Sequence, residues 1–181
     1  MKQVLKPIHS LLIIGLLIPY LGTGQSTEPK DAQDQKLIDA AREIMIAAGT
    51  CALITVDEEG RSRVRAMDPF PPEKDLTVWF GTNPKSRKVS QLRNDPRVTL
   101  YYLDSDASGY VMIHGTAELV DDEKEKEKRW KTEWGAFYPN QTEGYLLIKV
   151  SPEWMEVISE TRGVLGDPAT WEPPLVFFDS N

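Results

Sequence analysis

Between Cys51 and Ser159 one β-rich run follows another across short, turn-rich connections, and too few helical stretches lie among them to alternate with the runs. Parallel strands need a crossover of about a dozen residues, usually a helix, so this pattern leaves antiparallel pairing as the expected arrangement. The runs are CALITV, RSRVRAM, LTVWF, RVTLYYLD, GYVMIHGTAELV and YLLIKVSPEWMEVIS, the last read as either a strand pair or one bent strand. Asp57-Glu58-Glu59-Gly60 joins the first two as a hairpin, and DPFPPEKD carries too much proline to be strand interior. Gly115 interrupts the fifth run, where a bend or bulge is expected. Helical spacing occurs over residues 31–48, ending at Gly49, and again in KSRKVSQL, stopped by Asn94-Asp95-Pro96. The charged DDEKEKEKRWKTEW segment is expected as a solvent-exposed helix with Trp130 and Trp134 turned inward. The predicted fold class is mainly β with flanking helices, an antiparallel sheet of about six strands closed on itself. Neither GxGxxG nor a Walker loop occurs, so a phosphate site has to be sought outside those motifs.

A chain of 181 residues fits one domain with a real core. Residues 1–24 stand apart: Lys2 and Lys6 precede LLIIGLLI, Pro19 breaks the run, and Gly22-Thr23-Gly24 offers small residues for a cut. That order predicts a signal peptide over 1–24 and export to the periplasm or the medium, with an uncleaved anchor as the competing reading. The apolar run is short and interrupted, so no stable membrane span is expected after cleavage. Residues 25–30 are expected as a flexible leader, 31–160 as the folded domain, and 161–181 as an irregular tail rich in Gly and Pro. A net charge of -7 argues against nucleic acid as a partner. Cys51 is the one cysteine; an internal disulfide and a thiolate zinc site are excluded, and its apolar setting predicts a buried, inert thiol. No metal site is expected, and His114, the one histidine after the signal, reads as structural.

One turn carries chemistry. After LTVWF, residues Thr82, Ser86, Arg87 and Lys88 stand at the opening of the short helix, where free backbone N–H groups and the positive dipole end favour an anion. A guanidinium forks onto two oxygens, an ammonium adds a point charge and two hydroxyls donate, so the set suits phosphate. Arg65, which shares one strand face with Arg61 and Arg63, would close the site from the neighbouring strand. An Arg-Lys pair that merely solvates an exposed helix is the competing reading, and spacing alone does not separate the two.

The run WFGTNPKSRKVSQLRNDPRVTLYY resembles the signature of the pyridoxamine 5'-phosphate oxidase-like split barrels, and GRSRVRAM resembles the strand that brings an arginine to the flavin phosphate in that family. GYVMIHGTAELV is similar to its long barrel strand, and EWGAFYPNQTEGYLLIKVSPEWMEV to its general-stress-protein branch. The resemblance implies a six-stranded antiparallel split β-barrel and a homodimer with FMN in a groove between subunits. It assigns Arg65, Arg87 and Lys88 to the phosphate, with Ser86 and Thr82 as hydroxyl donors. Ala66 and Met67 would contact the ring, and Phe80 and Gly81 would line the ribityl path. The implied function is an FMN-dependent oxidoreductase acting on an unidentified small molecule. The residues that hold the vitamin substrate in true pyridoxamine phosphate oxidases are not matched: Phe70 stands in place of a lysine, and Glu160-Thr161-Arg162-Gly163 in place of an Arg-x-His. Tyr110 replaces a glutamine often set against the ring. Two further readings are a non-catalytic protein that binds or sequesters flavin, and the same barrel loaded with deazaflavin or with haem, for which His114 is the one imidazole to offer.

Overall fold

The computed structural model describes residues 30–179, so the expected signal peptide and nearly all of the expected leader lie outside the described residues. Helix α1 (Lys30–Ala48) turns Leu37, Ala41, Ile44 and Met45 onto the sheet, and Gly49 ends it at φ 66, a left-handed conformation that glycine adopts without strain. β1 (Cys51–Val56) and β2 (Ser62–Met67) form the expected hairpin. β3 (Val78–Thr82) leads into α2 (Arg87–Asn94), which Asp95 and Pro96 stop before β4 (Arg97–Leu103). β5 (Gly109–Val120) pairs with β6 (Leu146–Ser159), a single long strand. Their register shifts between His114 and Gly115, opposite Pro152, which is the bulge expected at that glycine.

Every pairing is antiparallel, and the strand order is β2-β1-β4-β5-β6-β3. The ladder does not close between β2 and β3: the sheet wraps one core and stays split there, with a hydrogen bond from Phe70 N–H to the Trp79 carbonyl (2.8 Å) tying the chain after β2 back to β3. Alternation along the strands fills the core, as β1 and β4 show by burying Cys51, Leu53, Val98, Leu100 and Tyr102. Burial pushes the Cys51 thiol up to about 11, although the Tyr102 hydroxyl beside it opposes the shift, so the thiol is protonated at neutral pH.

Three expectations need correction, the first being closure: the sheet has seven strands and stays open between β2 and β3. The charged segment yields only a short α3 (Glu123–Lys128), followed by a 3-10 turn (Thr132–Ala136); α3 is mostly exposed and Trp130 and Trp134 turn inward as expected, but one of its lysines is not solvated. Lys126 is buried, pairing with Asp121 and donating to the Thr142 carbonyl at 2.8 Å above the Tyr145 ring. The tail is not irregular throughout, because β7 (Leu175–Phe177) pairs with β6 and buries Val176.

Candidate functional site

The split of the barrel is where the site lies. A cleft of about 300 Å³ is lined by Ala66, Met67 and Asp68 from the β2 side, and by Gly81, Thr82 and Asn83 from the β3 side. Lys88 of α2 and the aromatic residues Trp134, Phe137 and Tyr138 complete it. As a sheet edge, β2 leaves alternate backbone groups free of ladder partners. The aromatic wall is fixed from behind: Trp134 packs against Phe70, Trp130, Tyr138 and Tyr145 at centroid distances of 5.5 to 6.1 Å. Lys131 pins the same segment to the chain after β2 through Asp68 (2.6 Å) and the Pro69 carbonyl (3.1 Å).

At the other end stand the cations. Arg65 reaches inward from β2, its Nη1 donating to Thr55 Oγ1 (2.8 Å) and the Leu53 carbonyl (3.3 Å), and its Nη2 to Gln91 Oε1 (2.9 Å). Lys88 Nζ donates to Thr82 Oγ1 (3.1 Å) and Ser86 Oγ (3.3 Å), and those two hydroxyls lie 3.2 Å apart. Ser86 holds the N-cap position of α2 without making a side-chain cap bond; the Val89 amide donates to the Ser86 carbonyl (2.9 Å), and those of Arg87 and Lys88 keep their donors among the described residues. Among the described residues Arg65, Arg87 and Lys88 have no carboxylate in ion-pair contact, whereas Arg63 is paired with Asp57 (2.7 Å) and Arg97 with Asp95 (2.6 Å). The consequence is electrostatic. Burial and then the charges of Arg87 and Arg63 lower the pKa of Arg65; burial and then Arg65 lower that of Lys88. Half-buried like charges held together without a counter-ion favour binding of an anion, which would reverse both shifts.

The sequence profile of the family described as pyridoxamine 5'-phosphate oxidase like matches residues 33–165. The chain belongs to that family.

Solved structures share the fold. General stress protein 26 from Bacillus anthracis strain Sterne is 20% identical, with a TM-score of 0.63 over 78% of this chain and 98% of that one. A protein related to general stress protein 26, from Clostridium acetobutylicum, is 20% identical at a TM-score of 0.65, covering 79% and 95%. A pyridoxamine 5'-phosphate oxidase-related, FMN binding protein from Nostoc punctiforme is 14% identical at 0.52, covering 87% and 100%. No curated protein sequence matches the chain.

Of the residues that the resemblance to the pyridoxamine 5'-phosphate oxidase-like family singled out, the structure brings Ala66, Met67, Gly81, Thr82 and Lys88 into one cleft, with Ser86, Arg65 and Arg87 around the start of α2. Phe80 is the exception: its side chain is wholly buried in the core and does not line the cleft, because alternation turns Phe80 inward where Gly81 turns outward. Tyr110 and His114 also lie elsewhere, on the outer sheet face, where Tyr110 stacks on Tyr101 and donates to Glu156 (3.0 Å), and His114 stacks on Trp154. Reasoning from sequence missed Thr55 and Gln91, which hold Arg65 and bond each other at 2.7 Å. Gln91 follows Arg87 by one helical turn, which was the available signal.

Proposed function

We propose that this chain binds FMN in the split of the barrel and acts, as a homodimer, as an oxidoreductase on a small molecule. The observation that carries this reading is the trio Arg65, Arg87 and Lys88, cations without a carboxylate partner among the described residues, in a chain of net charge -7. A phosphate dianion supplies the missing charge, and the hydroxyls of Thr82 and Ser86 and the uncapped amides of α2 supply neutral donors. The description of the Nostoc relative as FMN binding supports the choice of ligand. FMN, when bound, supplies hydride or single-electron transfer.

The protein's own part is to anchor, orient and shield. Arg87 and Lys88 hold the phosphate, the free edge of β2 at Ala66 and Met67 offers backbone donors and acceptors to a ring, and Trp134 keeps water from one side of the cleft. Tyr138 lines the cleft, and burial raises its pKa, so its hydroxyl keeps its proton at neutral pH and offers a hydrogen-bond donor. The homodimer is supported by the outer sheet face, where Val64 is 64% exposed, Leu103 53% and Phe177 69%, an apolar surface that suits a second copy. Export, with residues 1–24 removed, is part of the same proposal.

The test is a visible spectrum of the purified chain after FMN is added in excess and the free flavin removed. Retained, saturable flavin absorption is expected; a colourless protein would contradict the proposal. Turnover with an electron donor and an acceptor would then separate an oxidoreductase from a protein that only sequesters flavin.

A further inference from the structure

Arg63 has no part in the site as assigned above, yet it stands in the wall of a second cavity. Across the start of α2 from the cleft lies a pocket of about 260 Å³ lined by Ser62, Arg63, Val64, Arg65, Arg87 and Gln91. Arg65 and Arg87 line this pocket, and Ala66 and Lys88, their immediate successors in the chain, line the cleft. The two cavities therefore flank one helix turn.

The three guanidiniums are not equivalent. Arg65 commits both terminal nitrogens to Thr55, the Leu53 carbonyl and Gln91, so it brings charge to the pocket but few spare donors. The Arg87 side chain has no hydrogen-bond partner among the described residues. Among the described residues Arg63 uses only Nε, donated to Asp57 Oδ2 at 2.7 Å, which leaves both of its terminal amino groups free. Asp57 also accepts from Arg61 Nε at 3.0 Å, so one carboxylate is divided between two arginines and cannot neutralise the pocket. Free forked donors on Arg63 and Arg87, the Ser62 hydroxyl and three positive charges meet the needs of a tetrahedral dianion.

We propose that Arg63 is a further phosphate-binding residue, held at its Nε by Asp57 so that its terminal amino groups meet the phosphate in the pocket it shares with Arg65 and Arg87. This rests on the reading of the split as an FMN site and deepens it, because Lys88 then approaches the same phosphate from the cleft side. Arg61 is the internal control: it shares Asp57 but does not line the pocket.

The experiment titrates FMN and riboflavin by flavin fluorescence on the wild type, Arg63→Ala, Arg61→Ala and Arg87→Ala. Arg63→Ala is expected to weaken FMN about tenfold or more, the loss of one charge-assisted contact, with riboflavin unchanged. Arg61→Ala should bind FMN as the wild type does. FMN affinity unchanged in Arg63→Ala but reduced in Arg87→Ala overturns the proposal. Should Arg63→Ala fail to fold, Arg63→Lys keeps the charge opposite Asp57 and loses the fork, and the same loss of FMN is expected. If the wild type binds no FMN, the cofactor reading fails and inorganic phosphate, followed by calorimetry on the same variants, reads the pocket alone. Phosphate binding lost in Arg63→Ala supports the proposal, and binding unchanged or absent in the wild type overturns it.

Discussion

Trp134 lies directly on Gly81: a Cβ placed on that glycine would stand 2.2 Å from the indole Cη2. No real side chain tolerates that distance, so the backbone of β3 and the aromatic wall of the cleft are matched through the absence of one methyl group. Trp134 in turn cannot retreat, since Phe70, Trp130, Tyr138 and Tyr145 surround it.

Gly81→Ala is therefore expected to destabilise the fold by about 1–3 kcal/mol, the usual range for overpacking. It should also shift tryptophan emission. In a Gly81→Ala/Trp134→Ala pair, the added methyl should cost little beyond Trp134→Ala alone. Thermal melts of the four proteins check this, and additive losses would show that the contact is not what makes the glycine necessary.

Gln91 is the buried acceptor for both Thr55 and Arg65. Gln91→Leu keeps the volume but strips Arg65 and Thr55 of that acceptor, so a stability loss of about 1–3 kcal/mol is expected in chemical denaturation, with weakened FMN binding. Unchanged stability and unchanged FMN affinity together would show that Arg65 does not depend on this anchor.

These two sites mark the limit of what was legible from sequence. Strands β1 to β6, α1, α2 and the Gly115 bulge follow from local periodicity and turn chemistry, and each is found where expected. The Thr82-Ser86-Lys88 cluster was legible because its members lie within one turn of chain. Trp134 on Gly81 was not, because the contact joins distant segments: the spacing turns Trp130 and Trp134 inward without saying which residues they meet. The burial of Lys126 depends likewise on Tyr145 and the Thr142 carbonyl, and β7 on a partner strand that offsets a proline-rich tail. Phe80 failed for a simpler reason: strand alternation places it opposite to Gly81, and motif order alone does not encode facing.

The outer sheet face predicts its own response. Leu103 is exposed there and does not contribute to the core cluster, so Leu103→Glu should leave the monomer fold intact while turning a dimer into a monomer. Light scattering on both proteins checks it. A monomeric wild type would contradict the homodimer, and a Leu103→Glu dimer of undiminished stability would place the interface elsewhere.

Asp57 predicts a pH dependence. Burial alone would raise its pKa, but the Arg61 amide and the Arg63 and Arg61 side chains hold the carboxyl well below the ordinary carboxylate range. A depressed folded-state pKa stabilises the fold above the unfolded value of about 3.9 and loses that contribution as the pH falls further. Unfolding free energies from pH 7 to pH 3 should fall more steeply for the wild type than for Asp57→Asn, with the gap between them closing toward the acid end. A constant gap would mean that the Asp57 charge is not what these arginines respond to.

The central claim is that unneutralised cations at the start of α2 hold the phosphate of a flavin. The most direct measurement compares FMN with riboflavin, two ligands that share a ring and differ by that phosphate, in fluorescence titrations of the purified chain. With charge-assisted contacts worth about 1.5–3 kcal/mol each, FMN is expected to bind at least a hundredfold more tightly than riboflavin, and the preference should shrink when Lys88 or Arg87 is replaced by Ala. Equal affinity for the two flavins, or a preference that survives both replacements, would contradict the account.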